Sequence, residues 1–394
     1  MSELLLRNVR PWPSSVDDTP VDVLMVDGVI SEVGPNLTTT GTVEDGLDHI
    51  LLPAFTDAHA HLDSTRLGLP FRPHSAGPGL EGLIENDRHN WRSAERSVTD
   101  RATHTLGRTI AFGATRVRSH AQVDPDSGLD RLEGVLAAKR EHKDRCDVEV
   151  VAFPQTGILR SPGTRELLSK ALEMGADYVG GIDPEGLDRK PEEHLEIVFG
   201  LAHDHGAGVD IHLHDRGEVG ARQIEMICAR AVDLPHRVNI SHCFGLTTVD
   251  EVKMTSLLET MSSASVTITT VAPGTTPPMP LEKIGSLAID LGLGQDGIRD
   301  YWSPYGNGDM LDRTWQLAFT NGFRHDNLIE ACVAIATSGG AAIMGVSNVG
   351  VAPGDVADLV VVPGDTVTAA VMDRPPRTMV IKNGSVVARG GILI

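Results

Sequence analysis

Apolar and polar positions along this chain fall into two alternating kinds of segment. Short β-branched runs occur at residues 50–59, 115–120, 148–153, 178–182, 209–214, 238–242, 265–270 and 287–294. Longer stretches with helix-like patterning lie at about 92–106 and at 129–141, 164–174, 191–205, 217–231 and 249–260. A strand, a crossover helix and a second strand form the repeating unit of a parallel sheet. Eight strands, with helices long enough to cover the outside, predict an α/β fold: a (β/α)8 TIM-like barrel. An open doubly wound sheet would use the same alternation, but no G-x-G-x-x-G follows an early strand.

The two ends read differently. Residues 21–33 (VDVLMVDGVISEV) and 358–387 are short strands, with Asp27-Gly28 and Asn383-Gly384 as hairpin turns. Neither end has enough strands to bury a core alone, so the two are expected to pair into one small β-sandwich beside the barrel. The expected units are 1–50 with 350–394 for the sandwich and 51–349 for the barrel, which the length of 394 residues accommodates.

Composition narrows the function classes. No apolar run approaches the ~18 residues that span a bilayer, and the start MSELLLRNVRPWP lacks the features of a secretory signal. A cytoplasmic protein without a membrane partner is expected. Cys146, Cys228, Cys243 and Cys332 form no CxxC pair, which predicts reduced thiols rather than a zinc ribbon or a disulfide framework. A formal charge of −20 without a basic stripe argues against nucleic acid. Association into a homo-oligomer is left open.

Candidate chemistry gathers at strand ends. In Thr56-Asp57-Ala58-His59-Ala60-His61-Leu62-Asp63 the strand period of two puts His59 and His61 on one face, where two imidazoles can reach one cation. His203 and His205 repeat the spacing, but at a helix end before a glycine, where basic side chains favour the helix terminus. His212 and His214 close the run at 209–214, so His212 is a candidate third ligand. His242 and Asp296 follow later strands. Together they supply an imidazole to stabilise charge and a carboxylate to bind metal and accept a proton.

The pattern resembles the amidohydrolase superfamily and, within it, the cytosine deaminase branch. The resemblance runs through HAHLD at 59–63, VVAFPQTGIL at 150–159, DIHLHD at 210–215, His242, Gly294-Gln295-Asp296 and Trp302-Ser303-Pro304. It implies one divalent cation, zinc or iron, held by His59, His61, His212 and Asp296, with His242 beside it. The fourth strand, 178–183, contains no lysine to bridge a second metal. Gln155 matches the family's substrate-binding glutamine and Trp302 a pocket aromatic.

Two departures bear on the substrate. Where cytosine deaminases carry a proton-shuttling glutamate this chain has Asp215, preceded by His214, and the acidic residue after the metal aspartate is replaced by Gly297, which implies a larger pocket. His-x-His at 212–214 is similar to the branch containing N-isopropylammelide isopropylaminohydrolase, which releases an amine from a triazine ring. His214, Asp215 and Glu218 are all candidates for the shuttling acid. The resemblance thus implies hydrolytic deamination of a nitrogen heterocycle, an amino-pyrimidine, amino-triazine or similar small molecule. Ring-opening hydrolysis of a cyclic amide and a non-catalytic scaffold are the alternatives. Residues 80–86 are read as a pocket loop that sets specificity.

Overall fold

The computed structural model describes residues 2–13 and 18–394, which form a mixed α/β fold with two sheets. The first sheet takes β1 (Glu3–Pro11), β2 (Val21–Val26), β3 (Val29–Gly34) and β4 (Thr42–Pro53) from the beginning of the chain. The end of the chain supplies the rest, after nine strands of the second sheet. Those nine are β5 (Phe55–His61), β6 (Ala114–Gln122), β7 (Asp147–Phe153), β8 (Tyr178–Ile182), β9 (Gly208–His212), β10 (Val238–Ser241), β11 (Val266–Thr270), β12 (Leu291–Leu293) and β13 (Asp296–Gly297). The late strands of the first sheet are β14 (Leu359–Val362), β15 (Met379–Lys382), β16 (Ser385–Arg389) and β17 (Ile392–Leu393).

The terminal strands join in the order β17-β16-β15-β14-β4-β1-β2-β3, with β14 antiparallel to β4 sewing the two chain ends together. Both chain ends therefore build one β unit, as their patterning implies, but its hydrogen bonds run through a single continuous sheet. Asp27-Gly28 and Asn383-Gly384 are its hairpin turns, and all four residues have the positive φ that a two-residue turn between twisted strands demands.

The second sheet runs β12-β11-β10-β9-β8-β7-β6-β5-β13, every pair parallel. Parallel strands all end at one edge, and the register there pairs Ile182 and Ser241 with His212, and Gly297 with His61. Strands β12 and β13 stand at opposite ends of this order, yet only Gly294 and Gln295 separate them. Glycine is needed there because a Cβ at 294 would lie 2.6 Å from the His59 carbonyl oxygen.

Several boundaries differ from the sequence reading. The apolar run 50–59 is two strands, broken at Ala54: β4 belongs to the terminal sheet as far as Pro53, and β5 starts the parallel one. The run 287–294 keeps only β12, because Ala288 turns the chain at a positive φ after a short helix, Leu281–Ser286. The helix expected at 92–106 is Val98–Ala111, capped by the Ser97 side chain on the Asp100 N–H. Residues 80–86 lie within the helix Gly79–Asn90 rather than in a loop, and Leu80, Leu83, Ile84 and Asp87 follow the helical period. The four cysteines are buried and unbridged. Among the described residues no helix is long and apolar enough to cross a membrane.

Candidate metal centre and active-site cavity

The strand period places Asp57, His59 and His61 on one face of β5, and all three are buried. His61 Nε2 lies 3.4 Å from Asp296 Oδ1 and 3.3 Å from His212 Nε2, and His59 Nε2 lies 3.7 Å from the same carboxylate oxygen. One nitrogen each from His59, His61 and His212 falls within 4.8 Å of the others, and the same holds for ligand atoms of His59, His242 and Asp296. The four side chains proposed as ligands therefore converge, with His242 beside them. His242 and Asp296 both adopt positive φ, a conformation uncommon for residues other than glycine and tolerated where the surroundings over-determine it.

Burial pushes His59, His212 and His242 below the ordinary imidazole range, so they are neutral and can offer lone pairs. Burial works against an ionised Asp296, but the polar ring of His59 beside it, with those of His242 and His61, outweighs burial and holds the carboxyl well below its usual range. A row of hydrogen bonds sets the tautomer of His59. Ser241 Oγ donates to Asp210 Oδ1 (2.6 Å), so it accepts from His59 Nδ1 (2.9 Å), which leaves His59 Nε2 as the lone-pair nitrogen. Asp210 also accepts from Arg118 (3.1 Å) and Asn239 (3.0 Å), and Arg118 is buried against Glu149 and the Tyr178 ring.

Above this cluster opens a cavity of about 440 Å³. Leu80, Leu83, Phe153, Phe244 and Trp302 give it apolar walls, and Gln155, His214, Arg216 and Asp300 give it polar ones. Gln155 and Trp302, the candidates for substrate binding, both line the cavity. His214 does too. Its Nδ1 lies 2.8 Å from Asp183 Oδ2, while Asp183 Oδ1 accepts the backbone N–H groups of His214 (2.6 Å) and Asp215 (3.1 Å). Burial alone would lower the His214 pKa; the charge and hydrogen bond of Asp183 reverse the sign and raise it. Its ring sits 4.4 Å from that of His242.

The other two candidate acids are placed elsewhere. The Asp215 carboxylate accepts from the Gly186 N–H and the Gln223 amide, both at 2.8 Å, and does not line the cavity. Glu218 is exposed in the first turn of the helix Gly217–Ala231. His203 and His205 close the helix Pro191–His205 before a left-handed Gly206, away from the site.

Sequence reasoning passed over three residues. His120 ends the run 115–120, two residues before the end of β6, and packs 4.1 Å from His59 and 4.5 Å from His212, ring to ring, with both nitrogens buried and unpartnered. It was findable as a histidine at the end of a barrel-type strand. Asp183 stands directly after β8 and carries the same positional signal. Asp300 had no signal, because its position depends on how the loop after β13 folds back.

Residues 43–388 match the model of a family described as the amidohydrolase family. The chain is 31% identical, over all of its own length and 98% of the relative's, to N-isopropylammelide isopropyl amidohydrolase of Pseudomonas sp. (strain ADP). It superposes with a TM-score of 0.94 on the crystal structure of N-isopropylammelide isopropylaminohydrolase from Burkholderia multivorans ATCC 17616, at 36% identity with both chains fully covered. A 5-methylcytosine deaminase from Klebsiella pneumoniae, liganded with 5-fluorocytosine, shares the fold at TM-score 0.82 and 24% identity, covering 98% of this chain and 97% of that one.

Proposed function

Because the chain belongs to the amidohydrolase family, we propose that it is a metal-dependent aminohydrolase that cleaves a C–N bond of a nitrogen heterocycle and releases an amine or ammonia. The observation that carries the reading is the convergence of His59, His61, His212 and Asp296 on the floor of a cavity walled by His214 and His242. The framework is taken as a closed (β/α)8 barrel spanning 51–349. The two residues between β12 and β13, which link the margins of the parallel sheet, support closure, and residues 1–50 and 350–394 are taken as the accessory β unit, whose strand β4 runs on to Pro53.

The donor set fits one divalent cation. Three imidazoles and one ionised carboxylate suit zinc or iron(II), and His59 Nε2 is buried without a hydrogen-bond partner. Such a cation supplies Lewis acidity that lowers the pKa of water from about 15.7 to about 7.

The protein's own groups divide the remaining work. Asp296 accepts the proton of the attacking water. His242, neutral and buried, stabilises the tetrahedral centre that forms at the attacked carbon. His214, whose protonated form Asp183 favours, delivers a proton to the ring or leaving nitrogen. Asp215 is tied down by Gly186 and Gln223, which favours His214 over it as the shuttle. The apolar walls receive ring faces, and Gln155 offers an amide to a ring edge.

The test is turnover of zinc-loaded protein on N-isopropylammelide, cytosine and a panel of amino-triazines and amino-pyrimidines, followed by mass spectrometry. Release of isopropylamine or ammonia supports the reading. Ring opening without amine release replaces it with cyclic amide hydrolysis, and a protein that neither retains metal nor turns over any ring is a scaffold.

A further inference from the structure

Resting on the aminohydrolase reading, we infer that Asp300 is the residue through which this chain recognises a ring N–H of its substrate, and that Gly297 is a glycine to make room for it. Asp300 follows β13 in the loop that carries Trp302. Its Oδ1 accepts the backbone N–H groups of Trp302 (2.8 Å) and Ser303 (2.9 Å), and its Oδ2 accepts from the Ser64 hydroxyl (2.9 Å). The carboxylate lines the same cavity as His61, His212 and Asp296.

A Cβ built on Gly297 would collide with Asp300 Oδ2 and lie 3.0 Å from Cγ and Oδ1, so the carboxylate occupies the volume that any side chain at 297 would take. Gly297 has no left-handed φ, so this close approach, rather than backbone conformation, accounts for the glycine. The larger pocket expected from Gly297 is therefore not realised: the space is refilled by an acid from three residues further on.

An ionised carboxylate is acceptor-only, with room for about four hydrogen bonds over its two oxygens. Three are used by Trp302, Ser303 and Ser64, which hold the group in place. The remaining capacity suits a donor. A ring in its lactam form, or one bearing an exocyclic amino group, supplies an N–H; a ring nitrogen lone pair or an N-alkyl group in that position leaves the carboxylate unpaired. Asp300 thus selects N–H-bearing azines.

The experiment uses zinc-loaded full-length protein, with Asp300→Asn, Asp300→Ala, Gly297→Ala and the Gly297→Ala/Asp300→Ala double variant. Asp300→Asn keeps an oxygen for the Trp302 and Ser303 N–H groups, and hence the loop, while presenting N–H where the outer oxygen was. Calorimetry compares cyanuric acid, which has three ring N–H groups, with trimethyl isocyanurate, which has none, and kinetics follows isopropylamine release from N-isopropylammelide.

Wild type is expected to prefer cyanuric acid by roughly 10- to 100-fold, the scale of one charged hydrogen bond. Asp300→Asn should abolish that preference and raise KM by a similar factor with a smaller change in kcat. Gly297→Ala should do the same by displacing the carboxylate, yet add little in the Asp300→Ala background, with metal content unchanged throughout. Equal or absent binding of the two rings by wild type, an unaltered Asp300→Asn variant, or additive effects of the two alanines overturn the assignment. Normal amine release by an unaltered Asp300→Asn variant sinks Asp300 alone. Asp300-dependent ring binding without amine release from any substrate sinks the aminohydrolase reading and leaves Asp300 standing.

Discussion

Replacing Asp183 with asparagine isolates the charge on the proton-delivering histidine from the geometry that holds it. Asp183 Oδ1 accepts two backbone N–H groups, at His214 and Asp215, and an asparagine carbonyl can keep both. The amide nitrogen then faces His214 Nδ1 as a donor, which forces that nitrogen to accept and so favours the neutral ring. A hydrogen bond to a charged partner contributes about 1.5–3 kcal/mol, and each 1.4 kcal/mol is tenfold in an equilibrium. The protonated population of His214 at fixed pH should therefore fall roughly 10- to 100-fold. The sign follows from the wild-type shift: Asp183 raises the His214 pKa, so the active acid persists to higher pH with the carboxylate than without it. Amine release measured from pH 5 to 9 should show the alkaline limb of kcat displaced to lower pH in Asp183→Asn, with zinc content and circular dichroism unchanged. An unshifted limb with full kcat would refute the assignment of His214 as the acid.

Three further outcomes follow from the surroundings of the metal centre. Ser241→Ala removes the acceptor that orients His59 and should weaken zinc binding about 10- to 100-fold in a chelator competition. Arg118→Met leaves the buried Asp210 carboxylate without its cation and should cost roughly 3–5 kcal/mol in urea denaturation. Removing the metal with a chelator should lower Tm reversibly, since free zinc at about 100 times its Kd adds about 2.7 kcal/mol to the folded state; an unchanged Tm would mean that the cluster does not bind it.

The parts of the site that were readable in the sequence are those with a period or a spacing. His59 and His61 announce themselves because two residues along a strand share a face, and His212 because it closes a β-branched run. The hairpins at Asp27-Gly28 and Asn383-Gly384 were readable because their turn demands residues that tolerate positive φ. Other features depend on contacts between distant segments. Asp183 and His120 carry a positional signal at their strand ends, but their roles emerge only when β8 and β9 lie side by side and when three other imidazoles close around His120. Asp300 and Gly297 are informative only as a pair. The break at Ala54 was hidden because both sheets bury apolar residues there, so the run 50–59 shows no change of pattern where the chain passes from one sheet to the other. Helix Gly79–Asn90 is the opposite case, since its apolar positions keep the helical period in the sequence itself.

The central claim is that four side chains from three strand ends share one ion. Anomalous diffraction at the zinc edge from zinc-loaded crystals measures this directly. One dominant peak is expected, about 2.0–2.2 Å from a nitrogen of His59, of His61 and of His212 and from an Asp296 oxygen. A peak bound elsewhere, or no peak in fully loaded protein, would contradict it.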